Sequence, residues 1–299
     1  MLTRRGLLQV AATVAASRLV GADSKAKRTM NTRPIPRTGE QLPVIGMGTW
    51  QTFDVDGTPD ALVDVITKLL DGGARVIDSS PMYGKAETAT GSLLAKTNKL
   101  GVPFLATKVW TSGKREGIAQ MARSFERMRA STIDLVQVHN LLDVQTHLPV
   151  LREMKAKGTI RYLGVTHYSH GQFAEIEKLM KHEQLDFIQI PYSITDREAE
   201  KRVLPAARDT GTAVLVMTPF ESGGLFGRVR KRPLPQVATE LGCTSWAQVF
   251  LKFLLGHPAV TCPIPATAKA EHVLDNLGAG FGAYPDEAQR DALVRALGE

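Results

Sequence analysis

From Leu42 onward the chain alternates eight short apolar runs with longer segments of helical period, and no other feature constrains the fold as much. The runs are PVIGMGTW (43–50), ARVIDSS (74–80), FLATKVW (104–110), IDLVQVHN (133–140), YLGVTHYS (162–169), DFIQIPYS (186–193), TAVLVMTPF (212–220) and TCPIPAT (261–267). Between them lie segments rich in helix-favouring residues, such as 58–70, 114–129, 148–157 and 245–255. Eight strand-and-helix units in about 250 residues predict an α/β fold, a single (β/α)8 TIM barrel. A doubly wound open sheet is the competing architecture, but no run is followed by the G-x-G-x-x-G turn that would support it.

Within each run the apolar residues come first and polar ones gather at the carboxyl end: Asp78, Lys108, His139, Thr166 and His167, Gln189, Thr218. A barrel brings all of those ends to one mouth, where barrel active sites lie. Taken singly, each has an ordinary structural explanation. An Asp after a strand is often an N-cap, a lone His a satisfied core residue, a lone Lys a surface snorkeller. Their recurrence at corresponding strand ends favours a shared site. Directly after Asp78, the stretch SSPMYGKAE (79–87) adds Tyr83, which no apolar periodicity explains, in what reads as a strand-to-helix turn.

A tyrosine with an unperturbed pKa of about 10 is a poor acid and a worse base near neutral pH. A buried ammonium beside it is expected to lower that pKa, and a carboxylate keeps the ammonium charged and oriented. Lys108 and Asp78 supply those two groups. His139 is placed to hydrogen-bond a carbonyl oxygen next to the tyrosine hydroxyl. Such a constellation suits carbonyl reduction or its reverse.

Over about residues 33–280 the chain resembles the aldo/keto reductase family. The segment 73–94, GARVID continuing into SSPMYGKAETATGSLL, is similar to that family's first signature, with Asp78, Tyr83, Glu87 and Gly91 in register. FLATKVW resembles its lysine strand, SFERMRASTIDLVQVHN its helix and histidine strand, and REMKAKGTIRYLGVTHYS its fifth unit. The resemblance implies a catalytic tetrad of Asp78, Tyr83, Lys108 and His139, with Tyr83 as proton donor. It also implies an NADP(H) cofactor, with NAD(H) possible, no metal, and a small-molecule aldehyde or ketone as substrate. By the same resemblance Gly48, Thr49 and Trp50 approach the nicotinamide and Gln189 its carboxamide. Thr166 and His167 stand where many members have Ser and Asn. Met217 replaces a tyrosine that often stacks on the nicotinamide ring, and Thr218 and Phe220 follow it on the cofactor side. Trp50, Trp110 and Asn140 are implied to line the substrate pocket. The long carboxyl-terminal loop of many relatives is missing, so an open pocket is expected.

The segment PIPATAKAEHVLDNLGAG (263–280) bears on cofactor choice. Relatives that strongly prefer NADP carry a lysine just after the Ile-Pro pair and an arginine six residues later. Those places hold Ala266 and His272 here, while Thr267, Asp275 and Asn276 remain in register. The planar guanidinium that suits a phosphate best is absent. Lys269 is in reach from the next turn, and a protonated His272 would assist below about pH 6.5. A modest NADPH preference, stronger at lower pH, is therefore expected.

Residues 1–22, MLTRRGLLQVAATVAASRLVGA, read separately as a twin-arginine export signal: Arg4 and Arg5, an apolar segment, and small residues Gly21 and Ala22 at a cleavage point. Residues 23–32 read as a linker and 33–299 as the barrel. The apolar segment is shorter than the roughly 20 residues that span a bilayer. Export implies a periplasmic or secreted protein and transient contact with the export machinery, with no other membrane association. A start at Met30 would instead give a cytoplasmic one. Cleavage after Ala22 removes Arg4, Arg5 and Arg18, so 37 basic residues become 34 against 30 acidic and the net charge falls from +7 to +4. No basic run with interleaved aromatics is present, which argues against nucleic-acid binding. Cys243 and Cys262 have no C-x-x-C spacing and read as packing residues.

Two rival functions fit parts of this pattern. Lys108 in a barrel mouth is able in principle to form a Schiff base, as in aldolases. A non-catalytic nucleotide-binding module is the other, and the intact tetrad argues against it.

Overall fold

A computed structural model describes residues 29–298 of the chain. The expected export signal falls on residues outside that range. A hairpin of β1 (Thr32–Pro34) and β2 (Gln41–Pro43) comes first. It was not anticipated, and β1 begins at the last residue of the segment read as linker. Each of the eight apolar runs then supplies one strand: β3 (Met47–Gly48), β4 (Val76–Asp78), β5 (Phe104–Val109), β6 (Ile133–His139), β7 (Ile160–Thr166), β8 (Phe187–Pro191), β9 (Ala213–Met217) and β10 (Cys262–Pro263). Neighbours in sequence are neighbours in one parallel sheet, from β3 through to β10. The Gly46 N–H donates to the Pro263 carbonyl at 3.0 Å across the remaining gap, which brings the sheet round into a barrel.

The backbones approach closely at that seam. A Cβ on Gly46 would fall 2.7 Å from the Val76 Cβ, so that position needs glycine, and one on Gly48 would stand 3.0 Å from the Ile264 carbonyl oxygen, a tight contact. β3 and β10 are only two residues each, shorter than their runs. Pro263 and Pro265 have no N–H to give to a ladder, which limits pairing at β10.

The alternation of strand side chains sends every second residue inward. Val76, Phe104, Ala106, Leu135, Tyr162, Phe187, Leu215 and Cys262 fill the barrel interior as one buried cluster, and Ile35 and Leu42 of the hairpin region join it. Phe104, Tyr162 and Phe187 pack ring on ring there, with centroids 5.5 to 5.9 Å apart. The hairpin thus covers the barrel end at which the strands begin, and Tyr162 near the start of β7 bonds Thr38 at 3.1 Å. The opposite end carries the polar residues. Helices Asp60–Asp71, Lys114–Met128, Val144–Ala156 and Trp246–Leu255 occupy the anticipated segments, with the third starting four residues early. The last helix, Glu287–Ala296, opens on a capping box of Asp286 and Gln289.

Candidate active site

Asp78 ends β4, His139 ends β6 and Thr166 ends β7, while Lys108 and Gln189 lie near the ends of β5 and β8. Tyr83 sits in the loop between β4 and helix Ala86–Lys96. The expected tetrad is brought together. Lys108 is fully buried and its Nζ donates to Asp78 Oδ1 at 2.8 Å, Asp78 Oδ2 at 2.7 Å and the Ser79 carbonyl at 2.7 Å. The ammonium is held by the Asp78 carboxylate and the Ser79 carbonyl together. The same Nζ stands 5.0 Å from the centroid of the Tyr83 ring. Tyr83 and His139 meet edge to face, with ring centroids 5.8 Å apart and planes at 85°. The ring centroid of Trp110, which is 41% exposed, stands 6.4 Å from that of His139, and Trp50 is 46% exposed at the end of the first unit.

Two buried amides extend the ion pair into the barrel. Gln189 Nε2 donates to Asp78 Oδ2 at 3.1 Å, and Gln137 Nε2 donates to Gln189 Oε1 at 2.8 Å. The carboxylate accepts only, so it fixes the orientation of both amides in turn. Gln137 was missed in the sequence. Its signal was a polar residue two before His139 in a buried strand, hence on the same inward face.

Burial pushes the Asp78 carboxyl above its ordinary range, while the Lys108 charge and the bonds from Lys108 and Gln189 pull it back. Burial lowers the Lys108 ammonium, but the charges of and bonds to Asp78 and Tyr83 outweigh it and hold the lysine above its usual value. We therefore place the proton on the lysine and the negative charge on Asp78. Tyr83 departs from expectation: its hydroxyl is raised, not lowered. Burial dominates, and the pull of Lys108 is partly cancelled by the negative Asp78 beside it. The imidazole of His139 is depressed to about 3 by burial, by Lys108 and by His167, so it is neutral at working pH. Ser80 Oγ lies 3.0 Å from its Nδ1. Nothing in the sequence singles Ser80 out within the 79–87 stretch.

On the cofactor side the placements are mixed. Thr49 is buried, with its hydroxyl turned to Ser79 Oγ at 3.0 Å and the Asp78 carbonyl at 3.1 Å. His167 is half-buried and its Nδ1 accepts the Ser169 N–H at 3.0 Å. Met217 is half-buried, Thr218 is exposed with a left-handed φ of 51°, and Asn140 is half-buried with a φ of 53°. Phe220 packs with Phe226 and Phe250 at 5.1 and 6.3 Å, an aromatic cluster that explains it without a ligand. Asp275 Oδ1 accepts from Ser245 Oγ at 2.7 Å and Gln248 Nε2 at 2.8 Å, so one carboxylate oxygen ties two helices together. Asn276 is buried.

The residues around the start of helix Ala270–Gly278 fit an anionic group. Ala266, Lys269 and His272 are exposed there, and Thr267 Oγ1 stands 3.3 Å from His272 Nδ1. A helix N-terminus flanked by a lysine favours a phosphate.

Comparison with known proteins agrees with this geometry. The sequence profile of the Aldo/keto reductase family matches residues 44–291. The chain is 30% identical to aldo-keto reductase YhdN of Bacillus subtilis over 213 residues, which are 65% of this chain and 63% of that protein, so it spans under two thirds of that relative's length. It is 27% identical to the NADH-specific methylglyoxal reductase of Escherichia coli over 237 residues, covering 68% and 71% of the two chains. Among solved structures, an aldo-keto reductase from Bacillus halodurans in its holo form superposes with a TM-score of 0.70 at 22% identity, covering 90% of this chain and 96% of that one. An aldo/keto reductase from Klebsiella pneumoniae in complex with NADP and acetate gives a TM-score of 0.73 at 22% identity, covering 86% and 92%. With the barrel, the tetrad and a profile match over most of its length in agreement, this chain belongs to the aldo/keto reductase family.

Proposed function

We propose that the protein is an NAD(P)H-dependent oxidoreductase that reduces an aldehyde or ketone reversibly to the alcohol. The observation that carries this reading is Tyr83, set between a buried Lys108–Asp78 pair and the neutral imidazole of His139. A reduced nicotinamide, when bound, would supply the hydride. The His139 ring hydrogen-bonds the carbonyl oxygen and fixes it beside the Tyr83 hydroxyl. Tyr83 gives that oxygen its proton as negative charge develops there, and Lys108 stabilises the phenolate left behind. Asp78 keeps Lys108 charged and in place. Because the Tyr83 hydroxyl is raised, it stays protonated near neutral pH, which favours donation over abstraction. Trp50 and Trp110 offer apolar walls to the substrate.

The Schiff-base alternative is not favoured, since Lys108 has no free lone pair while charged and committed to three acceptors. A panel of aldehydes and ketones with NADPH and NADH tests the reading, and methylglyoxal belongs in it because one relative is a methylglyoxal reductase. No carbonyl-dependent cofactor oxidation across the panel would overturn it.

We assign the adenosine phosphate site to Thr267, Lys269 and His272, without the lysine and arginine of strongly NADP-preferring relatives. Each charge-assisted hydrogen bond removed costs roughly 1.5 to 3 kcal/mol, or about ten- to a hundredfold in discrimination. NADPH is then expected to be only modestly preferred over NADH, and the paired change Ala266→Lys with His272→Arg should raise the preference. Ratios of kcat/KM for the two cofactors measure it. A preference of about a thousandfold in the unaltered protein would place the phosphate on other residues.

Arg4 and Arg5 ahead of an apolar segment support export of the folded, cofactor-loaded enzyme. Changing both to lysine should strand it in the cytoplasm. Fractionation that finds the unaltered protein wholly cytoplasmic and starting at Met30 would refute export.

A further inference from the structure

Ser80 follows β4 by two residues, at the start of the loop that carries Tyr83, and is fully buried. Its Oγ accepts the Met82 backbone N–H at 3.2 Å and lies 3.0 Å from His139 Nδ1. A serine hydroxyl has one hydrogen to donate and two lone pairs. With Met82 on one lone pair, the hydrogen has Nδ1 as its acceptor. The reverse arrangement, Nδ1–H donating to Oγ, would leave the hydroxyl hydrogen buried with no acceptor among the described residues, which burial penalises. A doubly protonated ring is ruled out by its setting, since burial, Lys108 and His167 all oppose a second proton. Nδ1 is then the bare nitrogen and Nε2 carries the hydrogen.

We propose that Ser80 is a positioning residue for His139: its hydroxyl donates to Nδ1, holds the imidazole in the Nε2–H tautomer, and so turns the single ring N–H toward the substrate oxygen. A neutral donor suits this place. It strengthens as the carbonyl oxygen gains negative charge, without competing with Tyr83 as the source of the proton. The consequence for turnover rests on the carbonyl-reductase reading, whereas the tautomer itself is a property of the unliganded protein.

His167 serves as an internal reference, because its Nδ1 accepts from the backbone N–H of Ser169, a bond that substitution at Ser80 leaves alone. Nitrogen resonances of the full chain labelled with 15N-histidine, without ligand, test the assignment. The unaltered protein should show His139 with a bare Nδ1 and a protonated Nε2. In Ser80→Ala the Nδ1 resonance should move downfield as its hydrogen bond is lost, with His167 unchanged. The kcat for aldehyde reduction should fall roughly tenfold and KM less, since the interaction matters most in the transition state. Ser80→Thr, which keeps the hydroxyl, should restore both. A His139 protonated at Nδ1 in the unaltered protein, or an Nδ1 resonance unmoved in Ser80→Ala, would overturn the assignment. The first of these is read even if Ser80→Ala fails to fold. A protein that reduces no carbonyl yet shows the Nε2–H signature refutes the proposed activity and supports the tautomer.

Discussion

Tyr83→Phe should lower carbonyl turnover by about 10²-fold or more, the scale on which a positioned general acid contributes. The hydroxyl is the group removed, while the ring that faces His139 and lies beneath Lys108 is kept. Binding of the reduced cofactor, followed by quenching of protein fluorescence, should change little. The loss should appear in kcat more than in KM, because proton donation begins to count only as the transition state is approached. Near-normal reduction by this variant would remove Tyr83 from the role of proton donor and turn attention to His139 or to water.

A second large effect is expected at Lys108, and it concerns stability as much as rate. Both partners of the Lys108–Asp78 pair are buried, with side chains 0% and 2% exposed. Lys108→Met leaves the carboxylate of Asp78 with Gln189 as its remaining side-chain donor, and breaking a buried pair in this way costs roughly 3–5 kcal/mol. Burial already pushes the Asp78 carboxyl up, and loss of the ammonium removes the main force pulling it back. In the variant the folded-state pKa therefore stands well above that of the unfolded chain. Between those two values the folded form holds the extra proton, so stability falls as pH rises through the window and the deficit is smallest in acid. Denaturant unfolding of the variant at acidic and neutral pH reads the effect. Adding Asp78→Leu to Lys108→Met should recover much of the stability and none of the activity. A single variant as stable as the parent at neutral pH would mean that Asp78 is not charged in the fold.

Much of this site is legible in the sequence because strand ends in a parallel barrel all face one way. Once eight apolar runs are recognised, Asp78, Lys108, His139 and Gln189 converge without knowledge of any contact. What is not legible depends on packing. The hairpin of β1 and β2 has three-residue strands with a proline in each, too short for a period to show. The shortness of β10 follows from prolines at a seam whose position the pattern does not reveal. For Tyr83, the lysine is visible but the balance between burial and a half-cancelled charge is not, and so the direction of its shift was misread. Phe220 and Asp275 stand in register with a family pattern, yet their neighbours here are an aromatic cluster and a pair of helices. Ser80 needs the loop geometry, since only there does its hydroxyl meet His139.

The bond from Gly46 to the carbonyl of Pro263 joins nearly the two ends of the barrel sequence. Contacts so distant along the chain carry the greatest loop-closure cost, about 0.6 kcal/mol more for each doubling of the intervening length. Until the last strand docks, β9 has an open edge and the barrel has no complete rim. The bond from Gln189 to Asp78 likewise spans four strands' worth of chain. A chain lacking its final units would hold Asp78 and Lys108 without the closed wall that keeps their charges apart from water.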